Sequence, residues 1–251
     1  MKKDLTPFSD ILIVCGQGTY EKGNYYTEYP DRDVYLRQAL NVGQIVKQFK
    51  YTHIVCSGGF TQSRSSALSE AKSFLDMWED TDSWPMNQSN IYLDELSLDS
   101  AENIYLGLMA ARVELDEVPI RRIGVFAAWK FKKVRFNSLA RELGITDRFY
   151  FHGLAWANEA DAGECALQGE NDQMKKIADT DDHLLLSDEW EQKRRCRYCG
   201  PEEYENRLNE HRKQFSKFFK TLDDIQLHGM RDILRKRLKE TFRNEVVKPF
   251  A

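Results

Sequence analysis

The chain has 251 residues, of which 41% are hydrophobic, with a formal net charge of −4 and five cysteines. That apolar content supports a sizeable core and excludes wholesale disorder, and the mild negative charge gives no global pull towards nucleic acid. No apolar run approaches the roughly 20 residues a membrane helix needs, the polar start after Met1 lacks a secretory pattern, and scattered cysteines in odd number fit a reducing, cytoplasmic compartment.

The first apolar run, Ile11 to Cys15, reads as a buried strand that stops at Gly16, Gln17 and Gly18. A polar stretch follows, and Val34 to Phe49 then reads as a helix. Its residues Leu36, Ala39, Leu40, Ile45 and Val46 recur at three- and four-residue steps. His53 to Cys56 is a second strand, ending at Ser57, Gly58 and Gly59. Ser66 to Trp78 predicts a helix with Ala67, Ala71, Phe74, Leu75 and Trp78 on one face. Ile91 to Leu93 is a third strand, with Glu95 just beyond it. Ser100 to Leu115 predicts a helix carrying Ile104, Leu108, Ala111 and Leu115. Ile123 to Ala127 is a fourth strand, Phe131 to Leu143 a helix, and Phe149 to His152 a fifth strand. Short apolar strands alternating with helices predict an α/β fold, with a mostly parallel sheet covered on both faces.

The pattern changes near residue 155. Asn158 to Asp182 is acidic and weakly periodic, and reads as a long loop. Gly200 and Pro201 mark a helix start. Two apolar stripes follow, one through Tyr204, Leu208, Phe215, Phe218 and Leu222, the other through Met230, Leu234, Leu238 and Phe242. Residues 1–157 are thus expected to form the α/β domain, and 158–251 a loop and helical extension packed on it or on a second copy as a homodimer arm.

The glycine loop after the first strand decides between ligand classes. A dinucleotide fingerprint needs a third glycine three residues after the second, inside a helix start. Glu21 stands there instead, and the next helical pattern waits until Val34. That reading fails. Gly16 and Gly18 read either as a tight turn or as a backbone floor for a ligand at the carboxyl edge of the sheet. Gly58 and Gly59 carry the same two readings, the functional one offering N–H groups to an anion, with Ser57 adding a hydroxyl. In "DELSLDSAENI", Asp99 and Glu102 fit a capping box. That motif leaves Glu95, Ser97 and Asn103 unexplained, and Glu95 also follows a strand end.

Other constellations carry less. Cys196 and Cys199 have no second pair at zinc-site spacing. The basic run near Arg194 and the helix from Arg231 mix with acidic residues and an apolar stripe. They read as a solvated face rather than a nucleic-acid surface. Trp129 and Trp156 fall near strand ends, where rim packing and stacking on a base both remain open.

Four motifs occur in an order that resembles one family. "VCGQG" ends a strand, "SGG" is followed by Glu70 in "SSALSEA", "ELSLDSAEN" opens a helix, and "IGVFAAWKFKKVRF" joins a strand to a basic helix. The chain resembles the domain of unknown function shared by the YdcF, SanA and ElyC proteins, over roughly residues 9 to 154, and among them the soluble YdcF-like branch. The resemblance implies a Rossmann-like fold and a nucleotide-like or phosphate-bearing ligand such as S-adenosylmethionine. It implies a pocket of Gly16, Gly18, Ser57, Gly58, Gly59, Glu70, Glu95, Ser97, Ser100, Glu102 and Asn103, with Gln17 between the first two. Where the family has a histidine and an arginine, this chain has Lys130 and Lys133, with Arg135 close by. Phe126 and Ala127 replace a threonine and a serine. A histidine acid–base step therefore does not transfer, while the positive charge does. Glu70 and Glu95 are the expected catalytic pair, holding hydroxyls or a divalent metal, or acting as general acid and base. A non-catalytic binding module using the C-terminal helices is the competing class.

Overall fold

The fold is that of a computed structural model describing residues 8–16, 18–21, 24, 25, 31–60, 68–97, 99–115, 118–154, 167, 168 and 170–172. Its central strand β1 (Ser9–Cys15) is buried along its whole length. Its odd residues Ile11, Ile13 and Cys15 enter one core, and Leu12 and Val14 enter the other. A strand that is apolar on both faces needs cover on both.

Further elements are the short strands β2 (Tyr20–Glu21) and β3 (Asn24–Tyr25), helix α1 (Asp31–Phe49), β4 (His53–Ser57), α2 (Glu70–Asp80), β5 (Ile91–Asp94), α3 (Ser100–Leu115), β6 (Ile120–Trp129), α4 (Lys133–Leu143) and β7 (Phe149–Leu154). Five of the strands form one parallel sheet in the order β5-β4-β1-β6-β7. Helices α1 and α2 cover one face and α3 and α4 the other. The chain steps outward from β1 to β5, returns to β6, and steps outward again to β7. The order reverses between β1 and β6, as in a Rossmann-like sheet, and every strand ends on the same edge.

The elements expected between residues 9 and 154 are all present, most with shifted ends. β6 extends to Trp129, and β5 takes in Asp94. Helix α2 begins at Glu70 rather than Ser66, because Ser69 takes the capping position and accepts the Lys72 N–H at 2.9 Å. The polar stretch after Gly18 holds the antiparallel pair β2–β3. This pair docks on α2, where Ser73 Oγ accepts the Tyr20 N–H at 3.0 Å and Asp80 accepts the Tyr20 hydroxyl at 2.6 Å. Residues 167, 168 and 170–172 are helical, within the segment expected to be loop. The predicted helices beyond residue 200, and Cys196 and Cys199, lie outside the described residues. Among those described, no helix is long and apolar enough to cross a membrane.

The amino-terminal edge is locked by charge. Asp10 accepts from Arg121 Nε at 2.9 Å and Arg122 Nη2 at 2.8 Å. Burial works to raise its pKa, but the two guanidinium groups outweigh it and hold the carboxyl below its usual range. Nearby, the Tyr51 hydroxyl and His152 Nε2 share a hydrogen bond of 2.8 Å.

Candidate functional site

The carboxyl edge is built differently. The backbone glycines there make their hydrogen bonds to the chain itself. Gly16 N–H donates to Ser57 O at 2.7 Å, Gly58 N–H to Asp94 O at 2.9 Å, and Gly59 N–H to Ser97 O at 2.6 Å. These donors are committed to carbonyls and do not form the anion cradle expected from the sequence.

What the glycines make room for is Glu70. A Cβ on Gly16 would run into Glu70 Oε2 and lie 2.5 Å from Glu70 Cβ. A Cβ on Gly58 would lie 2.8 Å from both Glu70 Cβ and Oε2, and Gly58 has φ +156°. The start of α2 is pinned over the same spot, because Glu70 and Ala71 donate their N–H groups to Gly59 O and Gly58 O at 3.1 and 2.9 Å. The glycine floor thus carries the Glu70 side chain across the ends of β1 and β4.

Asp94, the last residue of β5, organises the neighbouring loop. Its Oδ2 accepts from Ser57 Oγ at 2.6 Å and from Ser97 Oγ, and its Oδ1 from the Leu96 and Ser97 N–H groups at 3.1 and 3.3 Å. Burial raises its pKa and these four donors lower it, with burial prevailing to leave it at about 6. Ser57 Oγ also lies 3.0 Å from Asn103 Oδ1, in the first turn of α3. Glu95 is held at the start of α2 by the Ser69 hydroxyl at 2.7 Å. Asp99 caps α3, its Oδ1 accepting the Ala101 and Glu102 N–H groups at 2.9 and 3.0 Å.

Positive charge comes from the turn after β6. Lys130 and Lys133 are exposed, whereas Lys132 between them is half-buried. Desolvation lowers the Lys132 pKa, and Arg135 lowers it further. Cys15, Glu170 and Glu70 act in the opposite direction, which places this ammonium within electrostatic reach of all three. Burial pushes the Cys15 thiol up to about 12, so it is a protonated core group. Cys56 is likewise buried and free.

The carbonyls at the switch between β1 and β6 are bridged by a side chain. The β1–β6 register ends at Val14 and Phe126, and just there Gln38, 0% exposed, donates Nε2 to Cys15 O at 2.8 Å and Phe126 O at 3.0 Å. The polar groups gather over β1, β4 and β5, beside this switch.

Of the residues singled out in the sequence, the structure brings together Gly16, Ser57, Gly58, Gly59, Glu70, Glu95, Ser97 and Asn103. Ser100 joins them through Arg135, and Gly18 is buried in the loop behind. Glu102 belongs to the α3 cap, and Gln17 lies outside the described residues. Trp129 is buried against Phe131, with ring centroids 5.4 Å apart. Asp94, Lys132, Ser69 and Gln38 were not found by sequence reasoning. Asp94 was readable as the acid adjoining Glu95, whereas nothing in "KFKK" tells which lysine turns inward. Among the described residues, no three His, Cys, Asp or Glu side chains converge as a metal site would require. No family profile matches the chain, and no curated protein or solved structure was found to match it.

Proposed function

We propose that the carboxyl edge binds a small, hydroxyl-bearing molecule with an anionic, phosphate-like group, a nucleotide or sugar phosphate being the chemical type, and that Glu70 is its proton acceptor. The observation that carries this reading is the Glu70 carboxylate laid over Gly16 and Gly58 at two strand ends, with the Lys132 ammonium in electrostatic reach. A glutamate whose Cβ is pinned at a helix start over a backbone floor is positioned before a ligand arrives, and a positioned carboxylate is what proton transfer from a hydroxyl needs. Glu95, on the same edge, would hold a second hydroxyl. The resemblance of the motif order to that of YdcF-like proteins supports a nucleotide-like ligand.

A thermal-shift panel of nucleotides, sugar phosphates and S-adenosylmethionine tests this. A true ligand at a hundredfold excess over Kd stabilises by about 2.7 kcal/mol, and Glu70→Gln should remove the shift while melting as a folded protein. A panel hit that stabilises Glu70→Gln as well as the parent contradicts the assignment.

A further inference from the structure

The cationic side of the site is held in an arrangement of its own. Arg135 lies in the first turn of α4 and is 9% exposed. Its Nη1 donates to Ser100 Oγ at 3.2 Å, at the first residue of α3, and its Nη2 pairs with Glu170 Oε2. Glu170 comes from beyond β7 and is 6% exposed. The pairing is one-pronged. Arg135 Nε and Glu170 Oε1 are both buried, and neither has a hydrogen-bond partner among the described residues. A buried ion pair stabilises only when its remaining donors and acceptors are satisfied, and arginine meets a carboxylate best through two parallel bonds. This pair does neither. Lys132 feels both members of the pair and also Glu70. Arg135, in the first turn of α4, thus reaches across to the first residue of α3, at two helix starts that favour anions.

We propose that Arg135 and Ser100 form the seat for the anionic group of the ligand, and that Glu170 occupies this seat until a phosphate-like group displaces it. The proposal deepens the reading of the site given above and rests on it for the class of ligand. A tetrahedral oxyanion offers three acceptor oxygens, enough to serve Arg135 Nε together with the Nη groups, which Glu170 does not do. A dianion added beside Glu170 would leave excess negative charge in a desolvated place, so binding requires exchange.

The test is calorimetric titration of the full chain with inorganic phosphate and, separately, ribose 5-phosphate. Glu170→Gln should bind inorganic phosphate about tenfold more tightly than the parent. Adding Arg135→Gln should return it to the parent level or below. Glu170→Asp, whose shorter side chain keeps the charge but reaches less far, should fall between parent and Glu170→Gln, and it serves if the glutamine variant folds poorly. Tighter binding of ribose 5-phosphate than of phosphate by Glu170→Gln identifies an ester as the occupant, and the reverse order identifies a free oxyanion. Equal affinities in parent and both Glu170 variants overturn the seat, as does gain that survives Arg135→Gln. If the seat fails while Glu70→Gln still abolishes a panel ligand, the functional reading stands alone. If phosphate follows Glu170 and Arg135 but no panel ligand depends on Glu70, the seat stands and that reading falls.

Discussion

Gly16→Ala puts a methyl group 2.5 Å from Glu70 Cβ and against the Glu70 carboxylate. The carboxylate can swing aside. The Cβ cannot, because it belongs to the first residue of α2, whose start is hydrogen-bonded to Gly58 O and Gly59 O. Relief therefore demands a shift of the helix start. Overpacking of this kind costs about 1–3 kcal/mol, or roughly 2–4 °C in Tm for each kcal/mol in a chain of this size. Chemical denaturation in urea measures it directly. The decisive comparison is with Glu70→Gly, which removes every Glu70 atom the new methyl would meet. The double variant Gly16→Ala with Glu70→Gly should recover at least about 1 kcal/mol relative to the sum of the single changes. Glu70→Ala keeps the Cβ and should recover less. A Gly16→Ala protein that melts like the parent, or single costs that simply add, would refute the account of Glu70 lying on the glycine floor.

Asp99→Ala removes the α3 cap and should lower stability by about 1 kcal/mol in urea, leaving ligand affinity unchanged at saturating fold; a change in affinity with no change in stability would place Asp99 in the site instead. Burial and the Arg122 charge hold His152 down to about 4, from 6.5. The unfolded chain therefore takes up more protons between those values, and stability is lost as pH falls through them. Asp94, pushed up to about 6 by burial, acts with the opposite sign, since the folded protein takes its proton first. His152→Gln removes only the first effect, so the stability of the variant relative to the parent should grow as pH falls from 6.5 to 4. Urea midpoints that stay parallel across that range would contradict it.

The sheet was readable because its strands are short apolar runs separated by helical periods, and α3 was read with both ends in place, since Asp99 marks its start. The ends of the other elements moved where the signal is tertiary. Ser69 caps α2 in preference to residues upstream, and Trp129 stays in β6 because it packs on Phe131. The meeting of Ser57, Glu95 and Asn103 on one edge followed from parallel topology alone. The task of the glycines did not. Gly58 and Gly59 were expected to offer N–H groups and Gly16 a backbone floor, but loop closure takes all three donors, and the side chain that fills the space they leave is set by the tertiary fold. Lys132 was missed for a similar reason. A 3₁₀ turn over Lys130–Lys132 precedes α4, and the family motif points to Lys130 and Lys133, which the structure leaves exposed. Glu170 was hidden because its segment has weak periodicity and its partner Arg135 lies 35 residues earlier.

The central claim is that a hydroxyl-bearing anion sits against Glu70 at the carboxyl ends of β1 and β4. Backbone amide shifts, recorded by NMR as the best ligand of the panel is added, test it most directly. Residues Gly16, Gly58, Gly59, Ser97 and Lys132 should shift together, with one dissociation constant, while Asp10, Thr52 and Arg122 on the opposite edge stay in place. Shifts confined to the opposite edge, or saturating shifts that leave Gly16 and Gly58 unmoved, would contradict it.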